Sequence, residues 1–218
     1  MSEALDPRAH PESPGSLREA VPIFLRHASP RILLVALAIA LALRLSRGGF
    51  GPGDLVVAGG ILLWWPLQEW LIHVYILHFR PFEAFGRQID LHVPRMHRAH
   101  HRAPEQLELV FIPLHSYTYT LPLLVALAFL LTPSTPLALS FLCVYLVLAL
   151  HYEWVHFLVH TRVSPPTRYY GRLFRNHRLH HFKNEQYWYG VTLLQGDRLL
   201  RTAPSPADVP TSPTARTL

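Results

Sequence analysis

The chain has 218 residues, half of them hydrophobic and only 16% charged, with a mean hydropathy of +0.18; soluble domains carry about 25% charged residues. The apolar residues are gathered into long runs, so a bilayer is the expected solvent and intrinsic disorder is excluded for the body of the chain. Fifteen histidines stand against one cysteine, Cys143, which rules out internal disulfides and thiolate metal clusters and leaves any metal chemistry to imidazole. The formal charge of +6 comes almost entirely from arginine, with Lys183 the single lysine; this reads as the coding bias of a GC-rich bacterial genome, not as nucleic-acid binding.

Residues 1–30 hold Pro7, Pro11, Pro14, Pro22 and Pro30 among mixed charges and lack the cleavage site of a secretory signal. They are expected to form a mostly disordered tail with room for one short amphipathic segment. Ile32–Leu43 is a run of twelve apolar residues between Arg31 and Arg44, short of the roughly 20 that span a bilayer unless both arginines snorkel. Leu55–Phe79 and Leu109–Leu131 are credible spans, the second bent by Pro113 and Pro122, and Leu137–His160 is a fourth. The last two could also form a re-entrant hairpin. Residues 203–218, rich in Pro, Ser and Thr, read as a second disordered tail. The membrane domain is then 31–202.

Eighteen of the twenty basic residues fall before the first span, between the second and third, or after the fourth, and only Arg44 and Arg47 lie on the other side. The positive-inside rule puts both termini and the 80–108 segment in the cytoplasm and the Thr132–Pro136 turn outside. An even number of spans follows, and four satisfies it. An integral protein of a bacterial inner membrane is expected.

Polar residues occur where a simple anchor would not keep them. At about 1.5 Å per residue, Glu69, His73 and His78 lie roughly 21, 27 and 34 Å along the second span, and His151, His156 and His160 lie at matching depths along the fourth. His97, His100 and His101 in HRAHH have the spacing of His177, His180 and His181 in HRLHH, which on a helix shares one face. These four clusters supply ten histidines, too many for one ion and a reasonable set for two. Lone histidines at such depths are more often headgroup contacts; two triplets with two helix-borne pairs are not explained that way.

The ordered pattern EWLIHVYILH (69–78), HRAHH (97–101), HFLVH (156–160) and NHRLHHFKNEQYWYGVT (176–192) resembles the fatty acid hydroxylase superfamily of integral-membrane di-iron oxygenases over about residues 55–200. The resemblance implies an all-α fold, with four transmembrane helices and a cytoplasmic helical cap holding a histidine-rich dinuclear site. It implies metal ligation by His73, His78, His97, His100, His101, His156, His160, His177, His180 and His181, with two Fe ions as cofactor and O2 as co-substrate. The reaction it implies is hydroxylation of an unactivated C–H bond in a fatty acyl chain or related membrane lipid. With about 30 residues before the first span, no fused cytochrome domain is expected, so electrons come from a separate ferredoxin or cytochrome with its reductase. The basic 162–183 face is either a dock for that carrier or a headgroup surface.

Glu69, four residues before His73, is the candidate catalytic residue outside the ten, orienting a ligand imidazole. His151 is a reserve ligand, because it makes H-x4-H with His156. His92 is read as a loop residue and His115 as a core or channel residue. Asn176 is read as a helix N-cap before a ligand contact, and Tyr187, Trp188 and Tyr189 as an interfacial belt before a channel wall. The alternatives are a carotenoid or sterol hydroxylase or desaturase and, from another class, a metal transporter or metal-binding membrane scaffold, which would place ligands nearer the midplane. The sequence leaves the oligomeric state open.

Overall fold

The computed structural model describes residues 13–216; the first twelve residues of the expected N-terminal tail and the last two of the C-terminal one lie outside the described residues. The fold is helical apart from one small hairpin. Its elements are α1 (Leu17–Arg26), α2 (Ala28–Leu45), α3 (Pro52–Ile72), the strands β1 (Phe82–Ala84) and β2 (Arg87–Ile89), α4 (His92–Arg102), α5 (Tyr117–Leu131), α6 (Thr135–Val159), α7 (Arg168–Phe182) and α8 (Gln195–Leu199). The strands pair antiparallel, Phe82 opposite Ile89 and Ala84 opposite Arg87.

Four segments are long and apolar enough to cross a membrane: Ala28–Leu45, Pro52–Leu77, Leu107–Leu131 and Thr135–Val159. Their outward side chains, Leu55, Leu63 and Leu130 among them, stay exposed, as expected of side chains that meet lipid. The first span is 18 residues long, longer than its apolar run, because the helix continues through Arg31, whose Nε donates to the His27 carbonyl. The third is broken: 3-10 turns at Leu107–Leu109 and Leu114–Ser116 precede α5, since Pro113 has no N–H to continue a helix. The 15 residues of α5 reach only about 22 Å. α6 is the central helix, with Leu139, Leu142 and Leu146 packed into one apolar cluster with Leu33 of α2 and Leu124 of α5.

The described parts of the two expected tails, 13–30 and 203–216, are ordered, and α1 supplies the one short amphipathic segment expected in the first. α1 begins with a reciprocal cap, the Glu19 N–H on Ser16 Oγ and the Gly15 N–H on Glu19 Oε2, and it buries Ala20 and Phe24. Phe24 meets Phe111, Trp154 and Phe157 at ring separations of 5.0–5.9 Å. Residues 203–216, far from loose, bury Val209 and Ala215 and tie the Ser212 N–H to the Lys183 carbonyl. Pro-rich chain lacks a helical period but can still be pinned point by point, which composition does not reveal.

At the end of the bundle far from the histidines, Arg44 does not snorkel. It is buried, donating to Ser140 Oγ (2.7 Å), to both Asp54 oxygens (2.9 and 3.0 Å) and to the Gly48 and Gly49 carbonyls, with its guanidinium over the Phe50 ring. Asp54 also accepts from the Gly51 N–H, capping α3. One side chain thus fastens α2, α3 and α6, and removing one partner of such a buried pair is costly. Arg44→Met should lower the unfolding temperature in detergent by several degrees, while Arg47→Met, three residues away and exposed, should leave it unchanged.

Candidate metal centre

All ten candidate histidines come together at one end of the bundle, in two groups of five. His73, His78, His97, His101 and His180 form one; His100, His156, His160, His177 and His181 form the other. In each group one nitrogen per ring lies within 4.8 Å of all the others.

Two local features produce this sorting. In an α-helix, residues five apart point about 140° away from each other, so H-x4-H would separate His73 from His78. The chain instead ends α3 in a π-turn, His73–Leu77, with the His78 N–H on the His73 carbonyl at 3.1 Å. The wider turn brings the rings to 5.0 Å, and such turns recur at functional sites. Within each H-x2-H-H triplet the last two residues diverge by about 100°, so one triplet serves both groups. α4 gives His97 and His101 to the first group and His100 to the second; α7 gives His180 to the first and His177 and His181 to the second. The triplets are used in opposite senses.

Backbone carbonyls fix four of the rings. His73 Nδ1 lies 2.7 Å from Tyr189 O, His180 Nδ1 2.8 Å from Tyr187 O, His156 Nδ1 2.8 Å from Val110 O and His101 Nδ1 3.0 Å from Ala215 O. A carbonyl can only accept, so each Nδ1 carries the proton and each Nε2 keeps a lone pair. Between rings the Nε2 atoms approach closely: His78 to His180 at 3.2 Å, His97 to His101 at 3.1 Å and His160 to His177 at 3.0 Å. Two nitrogens each about 2.1 Å from one ion and at right angles are about 3 Å apart.

Several buried nitrogens have no hydrogen-bond partner: Nε2 of His73 and His156, Nδ1 of His177, and both nitrogens of His100 and His181. Buried polar atoms are normally satisfied. Protonation does not rescue them, because burial, reinforced by neighbouring imidazoles, holds His97, His100, His160, His177, His180 and His181 well below the ordinary imidazole value, and burial draws His101 down to about 4. Neutral rings with inward lone pairs fit cations.

Other candidates lie elsewhere. His151 stacks on Tyr169 at 6.4 Å and joins neither group, and His92, the first residue of α4 and not a loop residue, meets His115 edge-on at 5.6 Å. Glu69 does not bond an imidazole in the described residues. Its carboxylate accepts from the Thr192 N–H at 2.8 Å and, by shorter contacts, from the Val191 N–H and the Thr192 hydroxyl. Asn176 is no N-cap; it sits within α7 and donates to the Trp188 and Gly190 carbonyls and Asp197. Trp188 and Tyr189 are buried, not a belt, and the Tyr189 ring faces His73, His78 and His180 at 5.3–5.5 Å.

The 187–192 loop is therefore a structural partner of the site that sequence reading missed. Trp188 is left-handed (φ 58°), a costly conformation for a bulky side chain. Asp197 holds the loop by accepting from the Tyr189 and Gly190 N–H groups at 2.9 and 2.7 Å. A Cβ on Gly190 would lie 2.7 Å from Leu193 O, and one on Gly196 would lie 2.3 Å from the Pro66 carbonyl, so α8 approaches α3 this closely only as glycine. The C-terminal segment is the second missed partner: besides Ala215 O on His101, Asn184 Nδ2 donates to Pro210 O, and the Ser212 and Thr214 hydroxyls donate to Glu185. Deleting residues 203–218 should lower the metal bound per chain, measured by elemental analysis; an unchanged metal content would make the segment a dispensable cover.

Residues 58–202, well over half of the chain, match the family model described as fatty acid hydroxylase. The chain is 29% identical over 181 residues to the dihydroceramide fatty acyl 2-hydroxylase FAH2 of Arabidopsis thaliana, covering 81% of this chain and 73% of that one. Its fold is similar to that of full-length Scs7p, in which only the hydroxylase domain is visible, with a TM-score of 0.62, 21% identity and coverage of 92% of this chain and 70% of that one. All ten histidines fall inside the matched region, and the chain belongs to the fatty acid hydroxylase family of membrane oxidoreductases.

Proposed function

We propose that the chain uses O2 to hydroxylate an unactivated C–H bond of a membrane lipid, a fatty acyl chain or a related lipid, at two iron ions. The observation that carries this reading is the division of ten imidazoles, nine buried and His78 half-buried, into two donor sets of five. His73, His78, His97, His101 and His180 would hold one ion, and His100, His156, His160, His177 and His181 the other. Imidazole suits several metals; iron is favoured over zinc because oxygen insertion needs a metal that changes oxidation state. When bound, the iron pair supplies the oxidising power for C–H cleavage from O2 and two external electrons.

The remaining work falls to the chain. The carbonyls of Tyr187, Tyr189, Val110 and Ala215 hold four imidazoles as Nδ1–H tautomers. Burial of the rings excludes water, which protects an oxidising site from side reactions. The histidines stand at the ends of α3 and α6, where an acyl chain can arrive laterally from the bilayer. The name of the Arabidopsis relative, a fatty acyl hydroxylase, supports an acyl substrate over a carotenoid or sterol ring. By the positive-inside count the site and both termini face the cytoplasm of a bacterial inner membrane. A separate ferredoxin or cytochrome with its reductase supplies electrons, and Arg168, Arg172 and Arg175, exposed along one face of α7, suit an acidic carrier.

The test is turnover of the iron-loaded protein in lipid nanodiscs under 18O2 with a ferredoxin and its reductase. A lipid product carrying one 18O atom is expected, and His180→Ala should retain less than about a tenth of the rate, a loss above roughly 1.4 kcal/mol in barrier terms. A product lacking two hydrogens and carrying no label would make the enzyme a desaturase and overturn the reading.

A further inference from the structure

One histidine of each group is linked through a loop to a buried carboxylate on its own helix, so the same connection occurs twice. On α3, Glu69 lies four residues before His73 and binds the N–H groups of Val191 and Thr192. Two residues before Val191, the Tyr189 carbonyl takes the Nδ1 proton of His73. On α6, Glu153 lies three residues before His156, and its Oε1 accepts from the Ile112 N–H at 2.9 Å and from Ser29 Oγ at 2.6 Å. Two residues before Ile112, the Val110 carbonyl takes the Nδ1 proton of His156. Both glutamates are buried, at 6% and 1% exposure.

In each case a ring closes from helix to carboxylate, from carboxylate to loop N–H, along two residues to a loop carbonyl, and back through an imidazole to the same helix. The loop is fixed to one helix face at two points about one turn apart. Its carbonyl cannot rotate away without breaking the carboxylate contact, so the imidazole keeps its tautomer and direction. A carboxylate at this depth is expensive, and two of them placed alike beside two histidines of different groups call for a role tied to those histidines.

We propose that Glu69 and Glu153 are matched positioning residues, Glu69 for the group containing His73 and Glu153 for the group containing His156, each acting through one loop carbonyl. The inference rests on the two-metal reading of the ten histidines. It adds that the two metal sites are set independently, by separate loops and separate carboxylates.

The test is Co2+ titration of the metal-free, full-length protein in detergent, followed by absorption spectroscopy. The wild type should take up two ions. His180→Ala, which damages only the first group, leaves the second to be read alone; His177→Ala leaves the first. In the His180→Ala background, Glu153→Ala should weaken the remaining site at least tenfold and Glu69→Ala should leave it within a factor of about two. In the His177→Ala background the two effects should exchange. Glu→Gln keeps one acceptor oxygen without the charge, which about halves a charge-assisted bond, so each Gln variant should weaken its own site by about two- to fivefold. This arm decides the matter should an alanine variant fail to fold. Equal weakening of both sites by either glutamate, or a Gln variant that leaves its own site untouched, overturns the proposal. A wild type that binds a single ion overturns the two-metal reading instead.

Discussion

Ten imidazoles are packed so closely that burial and the neighbouring rings disfavour a second proton on His97, His100, His160, His177, His180 and His181. Each ring has one lone pair and one N–H when neutral; three Nε2 pairs, two in the first group and one in the second, face each other at 3.0–3.2 Å, and seven other buried ring nitrogens have no partner. Apart from cations this arrangement is unfavourable, so it persists only because the surrounding structure imposes it. Much of the fold can be understood as that imposition: helix ends that aim the rings inward, loops whose carbonyls fix them, and carboxylates that fix the loops.

The membrane spans supply the rigid part. α3 and α6 enter the site from the bilayer and each delivers a histidine pair, one through a π-turn and one through ordinary i, i+4 spacing. α4 and α7 lie outside the spans and bring the two triplets, each divided between the groups. α4 could not hold its position by apolar packing alone, since it buries Pro94, Arg98 and three histidines, whereas α7 also seats Leu173 and Phe174 in the apolar core. Arg98 is held by Asp90 and the Phe79 carbonyl, which fixes α4 to the chain leaving α3. At the far end of the bundle, Arg44 and Asp54 fasten α2, α3 and α6, so α3 and α6, which carry histidine pairs, are tied at both ends.

The four spans and the ten histidines were legible in the sequence, because long apolar runs and repeated H-x2-H-H spacing are signals carried by residue type alone. The division into two groups was not, although it follows from the 100° between successive helix positions once α4 and α7 are known to be helical. The π-turn was hinted at by H-x4-H, a spacing that an α-helix would splay. Glu69 was visible as an out-of-place carboxylate, but its partners Val191 and Thr192 lie more than 120 residues away, and backbone N–H groups leave no mark in a sequence. The same is true of the Tyr189 and Ala215 carbonyls, which meet His73 and His101: every residue carries such a group, so residue identity could not point to that role. Residues 203–216 are pinned by separate contacts with Lys183, Glu185 and His101, which composition does not reveal.

The central claim is that five histidines surround each of two metal ions. An anomalous difference map at the iron absorption edge, from crystals of the iron-loaded protein, tests it most directly. Two separate peaks are expected, one bounded by His73, His78, His97, His101 and His180 and the other by His100, His156, His160, His177 and His181. A single peak, or two peaks whose ligands are drawn from both groups, would contradict it.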